Sequence, residues 1–318
     1  MARGLGLILL LSGFLTLSAG AAEPSASAAF PLYHRVAGGE EDYLVQKRDT
    51  LMALALKKGV QWQVLVRQND LKKPYRLKTG MLLKLNNTHI VPMELGEGLV
   101  INLPELTLYH FHQGKCQRRY ALAVGKRSWP TPTGDYQIRN KARNPTWVVP
   151  PSIQEEMWEQ GLEVLERVPP GPKNPLGAYW MGTSAPGVGI HATNRPWSVG
   201  YYVSHGCIRM LPEEIAELFP QVPLGTPVKI IYRPVKLALT AQGRIFLEAH
   251  PNIYHHKIDA VAYVEALAQR YGLASRIDWE RVPAILKAQE GVAYDITWGP
   301  GPRQALGPSL QAAQRKLE

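Results

Sequence analysis

Between Gly98 and Pro234 the chain is cut into apolar runs too short to be helices. Residues 99–103, 106–111 and 119–124 mix apolar and β-branched side chains, with Pro104-Glu105 and Gln113-Gly114 as turns between them. Short runs bounded by proline and glycine pair as hairpins, so a mostly β domain is expected. Thr131-Pro132-Thr133-Gly134 leads into another strand at 136–140 and reads as a rigid turn; Gly225-Thr226-Pro227 turns into a last strand at 228–232. Residues 141–175 are dense in proline, which cannot donate to a ladder, so this stretch is expected to lie over the surface as a lid or groove wall, in part helical at 153–163. A helix is expected to start near Pro212 and to bring its positive end beside the preceding loop.

Within this domain, residues 189–210 read GIHATNRPWSVGYYVSHGCIRM. Cys207 stands two residues after His205 and sixteen after His191, in a chain with one other cysteine, Cys116. A thiol becomes a nucleophile when an imidazole takes its proton. His205 is too close along the chain to meet the sulfur head-on, whereas a full loop separates His191, whose strand can lie beside that of the cysteine. His191 is therefore the expected general base, and His205 an orienting or hydrogen-bonding group. Gly206 leaves the backbone bare, and the N–H groups of Gly206 and Cys207 are candidates for an oxyanion hole. Arg209 offers a forked cation for a carboxylate, and Trp197 an aromatic wall. Ala192 has no polar side chain, so any third group fixing the His191 tautomer is a backbone carbonyl or comes from elsewhere. A Cys116–Cys207 disulfide and a zinc site of His191, His205 and Cys207 are weaker alternatives, the latter because the spacing matches no usual structural zinc pattern.

SHGCIRM at 204–210, preceded by GIHATNRPWSVG at 189–200, resembles the signature of the L,D-transpeptidase catalytic domain, the YkuD-like or ErfK-like family of bacterial cell-wall enzymes. The resemblance implies Cys207 as acyl-forming nucleophile, His191 as base, and Ser204, His205, Gly206 and Arg209 as the pocket. It implies a β-sandwich at 97–234 with cysteine and base on the edge of one sheet, and no cofactor. Ala192, where many members have Gly or Ser, and Arg209, where others have Asn, depart from common forms and bear on substrate detail. The implied reaction releases D-alanine from a peptidoglycan tetrapeptide stem through a cysteine thioester. The acyl group then passes to a stem amine, giving a 3-3 crosslink, to the lysine of an outer-membrane lipoprotein, or to water.

Residues 1–22 read as a secretory signal, with Arg3, an apolar run from Leu5 to Leu17 and small residues at 19–21; an uncleaved anchor is the alternative. A periplasmic location follows. Residues 23–40, rich in Ala, Ser, Pro and Gly, read as a linker. Residues 41–88 then give a βααβ pattern: a strand near Leu44, a helix over 51–57 capped by Asp49 or Thr50, a helix over 61–68 and a strand at 82–85. DTL at 49–51 and Asn69 after the second helix resemble a LysM module. That resemblance implies a glycan site between residues 48–51 and the segment after Asn69, with Asp49, Thr50 and Asn69 as its residues.

Residues 235–318 form an α/β extension of uncertain role, with a strand near 244–248 and helices near 259–271 and 279–287. His250, His255 and His256 invite a metal reading, but on an expected loop without acidic company no metal is expected. The formal net charge of +10 suits an anionic polymer such as peptidoglycan; export and the missing basic-aromatic stripe argue against nucleic acid. A monomer is expected. A non-catalytic wall-binding protein is disfavoured by the intact His191–Cys207 pair. A papain-like hydrolase is disfavoured because here the histidine precedes the cysteine.

Overall fold

The computed structural model describes residues 31–299, so the signal at 1–22 and the tail after Gly299 lie outside them. The part of 23–40 that is described is not a linker. Leu32 and Tyr33 are buried, Tyr33 exchanges backbone bonds with Leu237 and Leu239, and β1 (Val36–Ala37) pairs with Ile90 and His89. A few apolar side chains inside an Ala- and Gly-rich composition were enough to anchor it.

The βααβ module follows as β2 (Glu40–Leu44), α1 (Leu51–Lys58), α2 (Trp62–Gln68) and β3 (Leu82–Asn86), with β2 and β3 antiparallel. Thr50 caps α1 by accepting from the Ala53 N–H at 3.2 Å, and Gly59 ends it at φ 64°. Val45, Leu54, Leu65, Leu83 and Leu85 form the module core, whereas Val64 is buried among side chains of the C-terminal extension. Arg119 of the catalytic domain donates to the Lys58 carbonyl at 2.9 Å, and Arg67 pairs with Glu290 at 3.0 Å. The module is thus built into the rest of the chain on two sides.

After β4 (His89–Ile90) the catalytic region runs through β5 (Gly98–Asn102), β6 (Thr107–His112), β7 (Lys115–Gly125), β8 (Gly134–Arg143), β9 (Trp147–Val148), α3 (Pro151–Glu159) and β10 (Arg167–Val168). It continues as β11 (Tyr179–Thr183), β12 (Gly189–His191), β13 (Tyr202–Ser204), β14 (Ile208–Met210), α4 (Pro212–Leu218) and β15 (Pro227–Ile231). The strand order is β13-β7-β14-β12-β11-β8-β15-β5-β6, and β6 also pairs with β7. The expected sandwich is therefore one nine-stranded sheet closed on itself, its inner face packed over Leu99, Ile101, Leu122, Val124, Ile190, Ile208, Met210 and Val228. Ile215 and Leu218 of α4 close the same core. Most neighbours are antiparallel, but β12 and β14 run parallel, which matters for the site.

The extension is a three-stranded sheet of β16 (Val235–Leu239), β17 (Ile245–Ala249) and β18 (Tyr294–Asp295), with α5 (Ala260–Arg270) and α6 (Val282–Ala288) sharing its core. Lys236, with no exposed surface, ties it to the catalytic domain: its Nζ lies 2.9 Å from both Glu105 and Glu248 and donates to the Ile90 carbonyl at 2.7 Å. Burial opposes both carboxylate charges, but the ammonium outweighs it and holds both groups below their usual range. No helix among the described residues is long and apolar enough to cross a membrane.

Candidate active site

Parallel pairing sets His191 opposite Arg209 and Ile190 opposite Ile208. Strand side chains alternate faces, so Ile190, Ile208 and Met210 enter the core while His191 and Arg209 share the other face, and Cys207, two residues before Arg209, belongs with them. Cys207 immediately precedes β14, and the Gly189 N–H reaches its sulfur. His191 thus ends one strand of a parallel pair, and Cys207 stands at the entry to the other.

His191 is buried, at 3% exposure. Its Nδ1 lies 2.5 Å from the Ala192 carbonyl, which can only accept, so Nδ1 carries the hydrogen and Nε2 keeps its lone pair. The third group is therefore a backbone carbonyl. Burial, and then the Arg209 charge, pull the imidazole down to about 4, with the Ala192 and Leu176 carbonyls opposing. Trp180, its direct partner on β11, stacks on the ring at 5.9 Å and donates its indole N–H to Asn140 at 2.8 Å. A Cβ on Gly189 would stand 2.2 Å from the Trp180 ring, so only glycine leaves room for that wall.

The Cys207 thiol lies 3.3 Å from the Gly187 carbonyl, to which it donates. Burial pushes its pKa up, against the Gly189 N–H and the Arg209 charge. The lowered histidine and the raised thiol both favour a neutral resting pair over a thiolate–imidazolium pair. The loop carrying the sulfur is closed by the Ser204 hydroxyl, which donates to the Cys207 carbonyl, and by Gly206 at φ 100°. About 10 Å of strand β14 separates the cysteine from α4, so the positive end of that helix does not reach the sulfur.

His205 faces α3 of the proline-rich segment: its Nε2 is 2.6 Å from Glu156, whose carboxyl this bond holds below the usual range, and 3.3 Å from Lys126. Trp129 meets its ring edge-on at 4.9 Å. The segment thus sits beside the cysteine loop, as a wall there requires. Arg209 directs Nη1 toward Ser198 at 3.4 Å, and its buried Nε has no hydrogen-bond partner among the described residues. Burial and neighbouring Arg195 both disfavour its charge, which an incoming anion would relieve. Trp197 is exposed on the loop between His191 and Cys207.

The residues singled out in the βααβ module build the module. Asp49 accepts from the Gln46 N–H and the Tyr43 hydroxyl, each at 2.8 Å, Thr50 caps α1, and Asn69 ties α2 to β3 through Leu65 and Lys84. Both cysteines are free, and His191 and His205 engage different partners, so neither the disulfide nor the zinc alternative is realised among the described residues. His250 does have acidic company, since Glu248 is 2.6 Å away and Glu105 lies close, but the Lys236 ammonium already sits between the two carboxylates. His256 turns to the Tyr232 ring instead. A separate cavity, lined in part by Trp62, Arg119, Tyr201 and His250, lies where module, sheet and extension meet and includes neither Cys207 nor His191.

Sequence reasoning missed Trp180 and Glu156 and took Thr131 as a turn residue only. Trp180 was discoverable as the strand residue facing a glycine; nothing local marks Glu156, whose role depends on where α3 packs.

Residues 96–230 match the YkuD family, described as the L,D-transpeptidase catalytic domain, and 43–86 match the LysM domain. The chain is 31% identical over 270 residues to the Probable L,D-transpeptidase YcfS of Escherichia coli K12, covering 81% of this chain and 84% of that one. It is 29% identical over 232 residues to the Probable L,D-transpeptidase ErfK/SrfK of Salmonella typhimurium, covering 70% and 74%. The catalytic domain of the E. faecium L,D-transpeptidase, solved by NMR, aligns at 25% identity over 43% of this chain and 99% of that one, with a TM-score of 0.33.

Proposed function

The chain belongs to the L,D-transpeptidase family, and we propose from that membership that it is a cysteine-dependent transpeptidase of peptidoglycan with Cys207 as nucleophile and His191 as base. The observation that carries the assignment is the parallel pairing of β12 and β14, which puts His191 beside the strand that Cys207 leads into, with the imidazole Nδ1 bonded to the Ala192 carbonyl.

His191 takes the thiol proton as sulfur attacks the carbonyl between residues three and four of a tetrapeptide stem, the L-centre of meso-diaminopimelate and D-alanine. The neutral resting pair suits this concerted use, since charge develops only when substrate is present. The N–H groups of Gly206 and Cys207 receive the oxyanion. As the intermediate collapses, the D-alanine nitrogen leaves with the proton from His191, and a thioester remains on Cys207. An amine then attacks the thioester, gives its proton to His191, and the proton returns to the sulfur. Arg209 holds a carboxylate of the donor, and Trp197 covers the stem.

The acceptor is a neighbouring stem amine, giving a 3-3 crosslink, or the lysine of an outer-membrane lipoprotein; water would make the protein a carboxypeptidase or a releasing amidase. The LysM module holds a glycan strand in the groove between residues 48–51 and the segment after Asn69. Because Asp49, Thr50 and Asn69 are engaged within the module, they shape that groove more than they touch sugar. The protein works as a periplasmic monomer. Incubation with a disaccharide-tetrapeptide, followed by mass analysis of the muropeptides, tests the acceptor. A stem-stem dimer with D-alanine release supports crosslinking, and D-alanine release alone supports hydrolysis or a missing protein acceptor. Neither product, from folded protein that still binds sacculi, overturns the enzyme in favour of a binding protein.

A further inference from the structure

Tyr254 belongs to the extension, on the loop between β17 and α5, yet its hydroxyl works inside the catalytic domain. It donates to the Gly125 carbonyl at 2.9 Å and accepts from the Thr131 N–H at 3.1 Å. The Thr131 side chain, 2% exposed, continues the chain of bonds: its hydroxyl accepts from the Gly125 N–H at 2.9 Å and donates to the Gly206 carbonyl at 2.8 Å. The phenol is itself fixed. Its ring stacks on Tyr232 at 5.4 Å, and its backbone N–H donates to the Tyr232 hydroxyl at 2.9 Å.

The Gly206 carbonyl and the Cys207 N–H share one trans peptide plane and point in opposite directions. Pinning the carbonyl toward Thr131 therefore aims the Cys207 N–H away from the Thr131–Tyr254 interior. Gly206, at φ 100°, has a backbone free enough that this plane would otherwise turn. An oxyanion hole depends on donors already aimed before charge develops.

We propose that Tyr254 is a positioning residue for the acylation step: through Thr131 it fixes the Gly206–Cys207 peptide that presents the oxyanion donor, giving the C-terminal extension a part in catalysis. The proposal rests on Cys207 being the acylated residue.

The test compares two reactions of the same sulfur in the full chain. Acylation by a tetrapeptide stem needs the oxyanion donor; alkylation by iodoacetamide forms no oxyanion. Tyr254→Phe keeps the ring and its stacking, Thr131→Val removes the hydroxyl, and Thr131→Ser retains it. Tyr254→Phe and Thr131→Val are expected to lower kcat for acylation about tenfold or more with KM little changed. Alkylation rates stay within twofold of wild type, Thr131→Ser restores acylation, and the double variant is no worse than Thr131→Val, as expected for one chain of contacts. Unchanged acylation in Tyr254→Phe, or equal losses in both reactions, overturns the proposal. A wild-type protein that alkylates at Cys207 but never acylates would instead overturn the transpeptidase reading itself.

Discussion

The ring of His191 is held by the carbonyl of its own neighbour: Nδ1 lies 2.5 Å from Ala192 O, on a residue whose side chain offers nothing polar. A backbone acceptor does here what a carboxylate does in other triads, fixing the tautomer without adding charge. His191→Asn is expected to lower acylation of Cys207 by about 10²–10⁴-fold through loss of the base. The check is single-turnover mass spectrometry of the enzyme with a tetrapeptide stem, beside circular dichroism to show that the fold survives.

The same burial sets the pH dependence. Because His191 is pulled down to about 4 and the thiol is pushed up, a neutral pair is expected in the free enzyme across a broad window. The acid limb of kcat/KM should fall near pH 4, where the base becomes protonated, and not near the ordinary histidine value of about 6.5. Alkylation of Cys207 should rise with pH to an apparent pKa above the ordinary thiol value of about 8.5. A thiolate–imidazolium pair would show fast alkylation persisting below pH 7.

Gly189 and Trp180 pack as one unit with the His191 ring. Gly189→Ala places a methyl 2.2 Å from the Trp180 ring, so the indole must leave the face of His191 or the strands must part. Overpacking of this kind costs about 1–3 kcal/mol. Denaturant unfolding should report that loss, and acylation should fall further than in Trp180→Phe, which keeps an aromatic face there.

The mostly β class, and the pairing of the His191 strand with the one that follows Cys207, were legible because each rests on local signals: short β-branched runs between turn residues, and a Cys and a His separated by a loop. The closure of the sheet was not, since β6 and β7 form an ordinary hairpin and the ring closes only where β14 adds to β7 and β15 to β5, pairings far apart in sequence. Nor was the resting charge of the pair, which burial decides. The His205–Glu156 contact and the Tyr254–Thr131–Gly206 brace join residues 49 and 123 or 75 positions apart, and no periodicity carries such separations. Leu32 and Tyr33 were hidden by the composition around them.

Lys236 offers a test of how the extension is held. Lys236→Met leaves Glu105 and Glu248 buried without their cation and should destabilise the protein by about 3–5 kcal/mol near neutral pH. In the wild type both carboxyls are depressed below their unfolded values, so the stability they contribute is lost as pH falls through the folded pKa. Without the ammonium, burial raises them, and protonation as pH falls relieves the penalty. The gap between variant and wild type in urea unfolding should therefore narrow from pH 8 to pH 5.

The proposed reaction stands or falls on Cys207 carrying the acyl group. Intact-protein mass spectrometry of residues 23–318, mixed with a disaccharide-tetrapeptide and quenched in acid, measures it directly. The expected result is an adduct of the donor less D-alanine, mapped to Cys207, released by amine or base and absent from Cys207→Ala. A wild-type protein that binds the donor and forms no adduct, or an adduct that survives in Cys207→Ala, would contradict it.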